Sequence, residues 1–129
     1  MPTILIIDDR PTNRHFLMTL LGYGGHTLLE AAEGTQALEI VRNQRPDLII
    51  TDILMPTMDG YEFVRQLRAD PNFANIPVIF YTATYRDREA RSLAKAAGVQ
   101  YVLIKPAEPQ VILNMVNAAL GHVPTSTQA

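Results

Sequence analysis

The chain has 129 residues, 47% hydrophobic and 19% charged, with a net charge of −2, so it is of single-domain size and can bury a core. That charge balance excludes a general electrostatic footing for nucleic acid or an anionic membrane face, and no apolar run reaches the roughly 18–20 residues of a membrane span. The absence of cysteine excludes disulfides, thiolate metal sites and cysteine nucleophiles, which suits a cytoplasmic location, and Met1-Pro2-Thr3 opens no secretion signal.

Residues 3–7 form the first predicted strand, and its apolar run Ile4 to Ile7 leads straight into Asp8-Asp9. Pro11 stands near a helix start, where a missing N–H does no harm, and Phe16, Leu17, Leu20 and Leu21 supply that helix's apolar face. A shorter, mixed run at 26–30 predicts a second strand, placed at an edge, followed by a helix carrying Ala37, Leu38 and Val41. The third strand, 47–51, ends in Asp52, and the helix after it shows Phe63, Val64 and Leu67. The fourth strand, 77–82, ends in Thr82-Ala83, and its helix shows Ala90, Leu93, Ala94 and Ala97, with Gly98 placed to stop it. The fifth strand, 101–104, is another edge candidate and runs into Lys105-Pro106. The last helix starts near Pro109 and shows Val111, Ile112, Met115, Val116 and Ala119. Leu113 and Leu120 fall off that stripe, as candidate dimer or interdomain contacts. Residues 1–122 are expected to form one domain, and 123–129 a flexible tail or linker start.

Five βα units in succession imply right-handed crossovers and a doubly wound parallel α/β sheet with helices on both faces. The continuous apolar runs at 4–7, 48–50 and 78–81 fit strands covered on both sides. Ligands of such sheets bind beyond the carboxyl ends of the strands, where Asp8, Asp9, Asp52, Thr82, Ala83 and Lys105 all fall. Converging carboxylates repel and call for a cation, and hard oxygen donors without His or Cys favour Mg²⁺. Acids, a metal, a lysine, a hydroxyl and a free N–H are the parts that phosphoryl chemistry needs. Taken singly, an Asp after a strand is an ordinary turn residue and Thr82 an ordinary strand residue. Only the joint pattern at four strand ends carries the functional reading.

With these residues assembled, the sequence resembles the receiver domain of two-component response regulators over roughly residues 3–120. The resemblance rests on Asp8-Asp9, the stretch Asp52-Ile53-Leu54-Met55-Pro56-Thr57-Met58-Asp59-Gly60, Thr82-Ala83 and Lys105-Pro106. It implies a flavodoxin-like (βα)5 fold with strand order 2-1-3-4-5. It further implies Asp52 as phosphoacceptor, Mg²⁺ held by Asp9, Asp8, Asp52 and the Leu54 carbonyl, and Lys105 paired with the phosphoryl group. Pro106 would follow a cis bond, Thr82 would swing toward the phosphoryl group, and Gly60 would permit the turn after Met55-Pro56. The implied donor is a phosphohistidine on a histidine kinase or phosphotransfer protein. The implied readout is the face of helix 4, strand 5 and helix 5, which an output domain or a second copy could use. Nothing implies an enzyme beyond its own phosphorylation and dephosphorylation. The run Asp8-Asp9-Arg10-Pro11-Thr12-Asn13-Arg14 and the ending Lys105-Pro106-Ala107-Glu108-Pro109 are similar to receivers joined to sensor kinases.

One position departs from the family. The aromatic that usually stands three residues before the lysine is Val102 here, and Tyr101 should face the other side of the sheet. Neither Leu54 nor Thr84 offers a carboxylate or amide to orient water, which predicts slow self-dephosphorylation. Arg86, Arg88, Arg91 and Lys95 give the fourth helix a basic face, partly offset by an Asp87–Arg91 pair. Three other readings stand beside this one. An aspartyl phosphatase would carry its second acid two residues after a first-strand nucleophile, whereas Asp8 and Asp9 adjoin. A nucleotide- or flavin-binding domain would use Glu30 on a ribose, but the first βα turn has no glycine. A constitutive docking module would not need the acids, Thr82 and Lys105 together.

Overall fold

Ile4 to Ile7, Leu48 to Ile50 and Val78 to Tyr81 are unbroken apolar runs, and all are buried. A strand can hide both faces only when helices cover both, and that requirement sets the architecture. The computed structural model describes residues 2–121; the expected tail at 123–129 and His122 lie outside them. Five strands alternate with five helices: β1 Thr3–Ile7, α1 Pro11–Gly22, β2 Thr27–Ala31, α2 Gly34–Gln44, β3 Leu48–Thr51, α3 Gly60–Ala69, β4 Val78–Thr82, α4 Asp87–Ala97, β5 Tyr101–Ile104 and α5 Pro109–Ala119. The sheet is parallel throughout, in the order β2-β1-β3-β4-β5, as the sequence led us to expect.

Side-chain alternation splits the core in two. Leu5, Ile7, Ile49, Val78, Phe80 and Val102 point to one side and pack with α2, α3 and α4. Ile4, Ile6, Leu48, Ile50, Ile79, Tyr81 and Leu103 point to the other and pack with α1 and α5. Each fully buried large aliphatic side chain contributes about 1.5–3 kcal/mol. A slip of one residue in any strand would exchange the two sets, so the register is strongly specified. That register pairs Ile7 with Ala31 and with Thr51, Thr51 with Phe80, and Thr82 with Ile104. The ends of β1, β2 and β3 are therefore level, β4 and β5 run two residues further, and the residues beyond all five lie on one edge of the sheet.

Local signals set the helix ends. Pro11 and Pro109 occupy first-turn positions, the Asp59 carboxylate caps α3 by accepting from Glu62 N at 2.8 Å, and Gly98 closes α4 in the left-handed region at φ 74°. In the last turn of α3, Arg68 donates to the carbonyls of Ala74 and Ile76, and burial lowers its pKa.

Several sequence expectations need correction. The second strand is 27–31 rather than 26–30, because Asp8 N extends the ladder by donating to Ala31 O. Phe16 and Val111 are exposed rather than core residues. Leu113 and Leu120 instead pack against the α1–α5 side of the core. The contact of α5 centres on Ile112 and Val116, so at 100° per residue Leu113 and Leu120 border it while Val111 turns outward. Tyr101 and Val102 do lie on opposite faces.

Candidate functional site

The acids reach one place because β1 and β3 are neighbours in register. Asp8 and Asp52 are both buried, and Asp9 beside them is exposed. One carboxylate oxygen from each of Asp8, Asp9 and Asp52 falls within 4.8 Å of the others. From β5, on the far side of β4, Lys105 reaches back. Its Nζ donates to Asp8 Oδ2 at 2.7 Å and to Asp52 Oδ2 at 3.0 Å. The peptide bond between Lys105 and Pro106 is cis, as expected.

The remaining carboxylate oxygens of the buried pair are also committed. Asp8 Oδ1 accepts from Arg10 N at 2.9 Å, and Asp52 Oδ1 accepts from Ile53 N at 2.7 Å. Asp9 makes no hydrogen bond or ion pair among the described residues. Burial alone would lower the Lys105 pKa, but its hydrogen bonds to and charge attraction by Asp8 and Asp52 outweigh that and raise it. Three carboxylates against one ammonium leave two formal negative charges at the mouth of the site. An all-oxygen donor set with that excess suits a hard divalent cation, so the residues present fit Mg²⁺.

A cleft of about 360 Å³ opens over Asp52 and Lys105, lined also by Arg10, Asn13, Ala83, Thr84 and Pro106. Thr82 is fully buried, and its hydroxyl accepts from Thr84 N at 3.2 Å. Leu54 lies in the β3–α3 loop with its side chain half exposed. Val102 is away from the cleft, in the core beside α4. Gly60 contributes to this loop through space rather than through its backbone conformation. The left-handed residue of the loop is Thr57, at φ 70°, and Gly60 has no positive φ. Its role is spatial: a Cβ there would overlap the Asp52 carbonyl oxygen and lie 3.0 Å from the Asp52 carbonyl carbon.

Two site residues escaped the sequence reading. Arg14 donates through Nη1 to the Asp8 carbonyl at 2.7 Å and through Nε to Glu30 at 2.8 Å, tying the β1–α1 loop to β2. Its signal was in the sequence, since Arg14 shares a helical stripe with Leu17, Met18 and Leu21. Tyr81 lies under Lys105, with Nζ 5.1 Å from the ring centroid. Its only signal was a polar-tipped aromatic in an apolar central strand.

Against known families, a model described as the response regulator receiver domain matches residues 4–117. The chain belongs to the receiver-domain family. Protein PilH of Pseudomonas aeruginosa is 36% identical to this receiver over 122 residues, covering 94% of this chain and 99% of PilH. Sensor protein EvgS of Escherichia coli is 40% identical over 110 residues, 85% of this chain but only 9% of EvgS. Among solved structures, the receiver domain of a sensor histidine kinase from Pseudomonas aeruginosa matches with a TM-score of 0.84 at 29% identity, over 93% of this chain and 98% of that one. That structure has a magnesium ion coordinated in its active site cleft. The chain is thus a receiver of two-component signalling, which decides against the phosphatase and the nucleotide- or flavin-binding readings. Among the described residues, no helix of the receiver is long and apolar enough to cross a membrane.

Proposed function

We propose that this receiver, spanning residues 1–122, takes a phosphoryl group on Asp52 from a phosphohistidine of a partner kinase or phosphotransfer protein. One observation carries the reading: a lysine bridges two buried carboxylates, of which Asp52 lines the cleft, and a third carboxylate, Asp9, lies within 4.8 Å of them and is uncommitted among the described residues. In the transfer, an Asp52 carboxylate oxygen attacks phosphorus, an O–P bond forms and the N–P bond breaks. The imidazole leaves with the bonding pair and takes a proton from solvent. Asp9, Asp8, Asp52 and the Leu54 carbonyl would hold Mg²⁺, which when bound neutralises phosphoryl oxygens. Lys105 exchanges its contact with Asp52 Oδ2 for one with a phosphoryl oxygen while keeping Asp8. Thr82 gives up Thr84 N and turns its hydroxyl to the new group, alongside the Ala83 N–H.

The consequence is a shift in population. The acyl phosphate adds about −1.5 to −2 charge and three acceptor oxygens, and it biases the β4–α4 loop only through contacts the unphosphorylated state lacks. The loop leads to Tyr85, which packs against the same core cluster as Val102, Ala90 and Ala94. The α4–β5–α5 face is therefore the surface offered to an output domain or a second copy. The receiver acts in the cytoplasm and catalyses only its own phosphorylation and dephosphorylation.

Intact mass after incubation with acetyl phosphate or phosphoramidate tests this. One phosphoryl group should be gained with Mg²⁺, and none without Mg²⁺ or in Asp52→Ala. A folded protein that gains none from either donor refutes the assignment and leaves the constitutive docking module.

A further inference from the structure

Lys105 is a long side chain with two places to go. It lines the cleft over Asp52 and also a second cleft of about 270 Å³, formed with Asn13, Phe16, Tyr81, Pro106 and Ala107. An ammonium has three donors, and Asp8 and Asp52 take two of them. On this side Nζ stands 5.1 Å from the centroid of the Tyr81 ring. Tyr81 is itself held firmly. It is 6% exposed, packed in the core with Leu17 and Ile112, and its backbone is locked in the ladder opposite Leu103.

A ring face carries the negative part of its quadrupole and attracts a cation, most strongly when the pair is shielded from water. The Lys105 side chain is 12% exposed, so the shielding condition is met. The geometry points to Tyr81 as a positioning residue: its ring holds the Lys105 ammonium in place where it bonds Asp8 and Asp52. The receiver lacks an aromatic at Val102, on the α4 side of the sheet, but has this one on the α1–α5 side. Tyr81 touches no reacting atom and acts through Lys105. Its bias matters most in transfer, when Lys105 loses Asp52 Oδ2 and must reach a phosphoryl oxygen instead of turning out. The inference rests on the role given above to Lys105.

The test compares wild type with Tyr81→Phe, Tyr81→Leu and a protein carrying pentafluorophenylalanine in place of Tyr81. The fluorinated ring keeps the shape of phenylalanine and reverses the quadrupole, so it separates attraction from packing even if the leucine variant folds poorly. Two readouts are taken. The first is the order parameter of the Lys105 ammonium by NMR in the unphosphorylated protein. The second is the initial rate of phosphorylation by phosphoramidate with saturating Mg²⁺. Tyr81→Phe should retain both. The leucine and fluorinated proteins should lose ammonium order and slow about ten-fold. A fluorinated protein that matches Tyr81→Phe in order and rate overturns the inference, as does one that loses order at an unchanged rate. Failure of the Asp52 assignment itself is seen separately, as a wild type that takes no phosphoryl group.

Discussion

Replacing Gly60 by alanine tests how the site is held, because the added atom meets main chain only. The Cβ would overlap the Asp52 carbonyl oxygen and lie 3.0 Å from the Asp52 carbonyl carbon and 3.1 Å from Ile53 Cα. No rotamer can relieve contacts with backbone, so the start of α3 must move away from the end of β3. That movement also stretches the Gly60 N–H bond to Ile53 O, now 2.7 Å. Overpacking costs about 1–3 kcal/mol and a weakened buried hydrogen bond about 1 kcal/mol, so Gly60→Ala should lose about 3 kcal/mol. Urea unfolding followed by circular dichroism measures this, provided the m-value is unchanged. Gly22→Ala is the internal control: its Cβ would meet only Leu28 Cδ1 at 3.9 Å, and a helical glycine replaced by alanine should be neutral or gain up to about 1 kcal/mol. Because the clash is with the backbone of Asp52 itself, phosphorylation of Gly60→Ala should also slow. A Gly60→Ala protein within about 0.5 kcal/mol of wild type, or no worse than Gly22→Ala, would refute the close-approach argument.

Lys105→Met should cost about 3 kcal/mol, because it strands two buried carboxylates, and adding Asp52→Asn should recover part of it; urea midpoints of the single and double variants decide, and a double variant no better than the single contradicts the account. The Lys105 pKa is raised in the folded state above its ordinary 10.5, so its stabilising contribution is complete below pH 10.5 and is lost as pH rises through the folded value. On the alkaline side, the stability gap between wild type and Lys105→Met should therefore narrow at strongly alkaline pH, which unfolding series at stepped pH will show; narrowing between pH 6 and 8 would be inconsistent with it. Arg14→Met removes a charge-assisted bond to the Asp8 carbonyl and should cost about 2 kcal/mol, whereas Glu30→Gln, at a half-exposed carboxylate, should cost no more than about 0.5 kcal/mol. Equal losses in thermal or urea unfolding would mean that the surface ion pair, not the carbonyl contact, is what Arg14 contributes.

The central strands were legible because hydrophobicity on both faces leaves a continuous signal, as in Ile4 to Ile7 and Leu48 to Ile50. The opposed facing of Tyr101 and Val102 followed from strand alternation alone. The convergence of Asp8, Asp52 and Lys105 was readable because parallel strands put their carboxyl ends on one edge. What stayed hidden depends on a third dimension. The distances from Arg14 to a carbonyl and from Lys105 to a ring belong to side-chain packing, for which sequence spacing carries no code. Which constraint calls for Gly60 was not readable, because a glycine demanded by a close approach and one demanded by a left-handed turn look alike in sequence. Phe16 and Val111 were misplaced because a helix stripe read from composition has no fixed centre until it is laid on the sheet.

The sheet divides the interior into two compartments that share no side chain: one roofed by α2, α3 and α4, the other by α1 and α5. Substitutions in separate compartments with no common neighbour should have additive effects on stability. The helices of the α1 side can thus be repacked without disturbing those of the α4 side. A receiver built this way lets the layer holding Tyr81 and the layer holding Val102 change independently, with only the strand ends held to a common design.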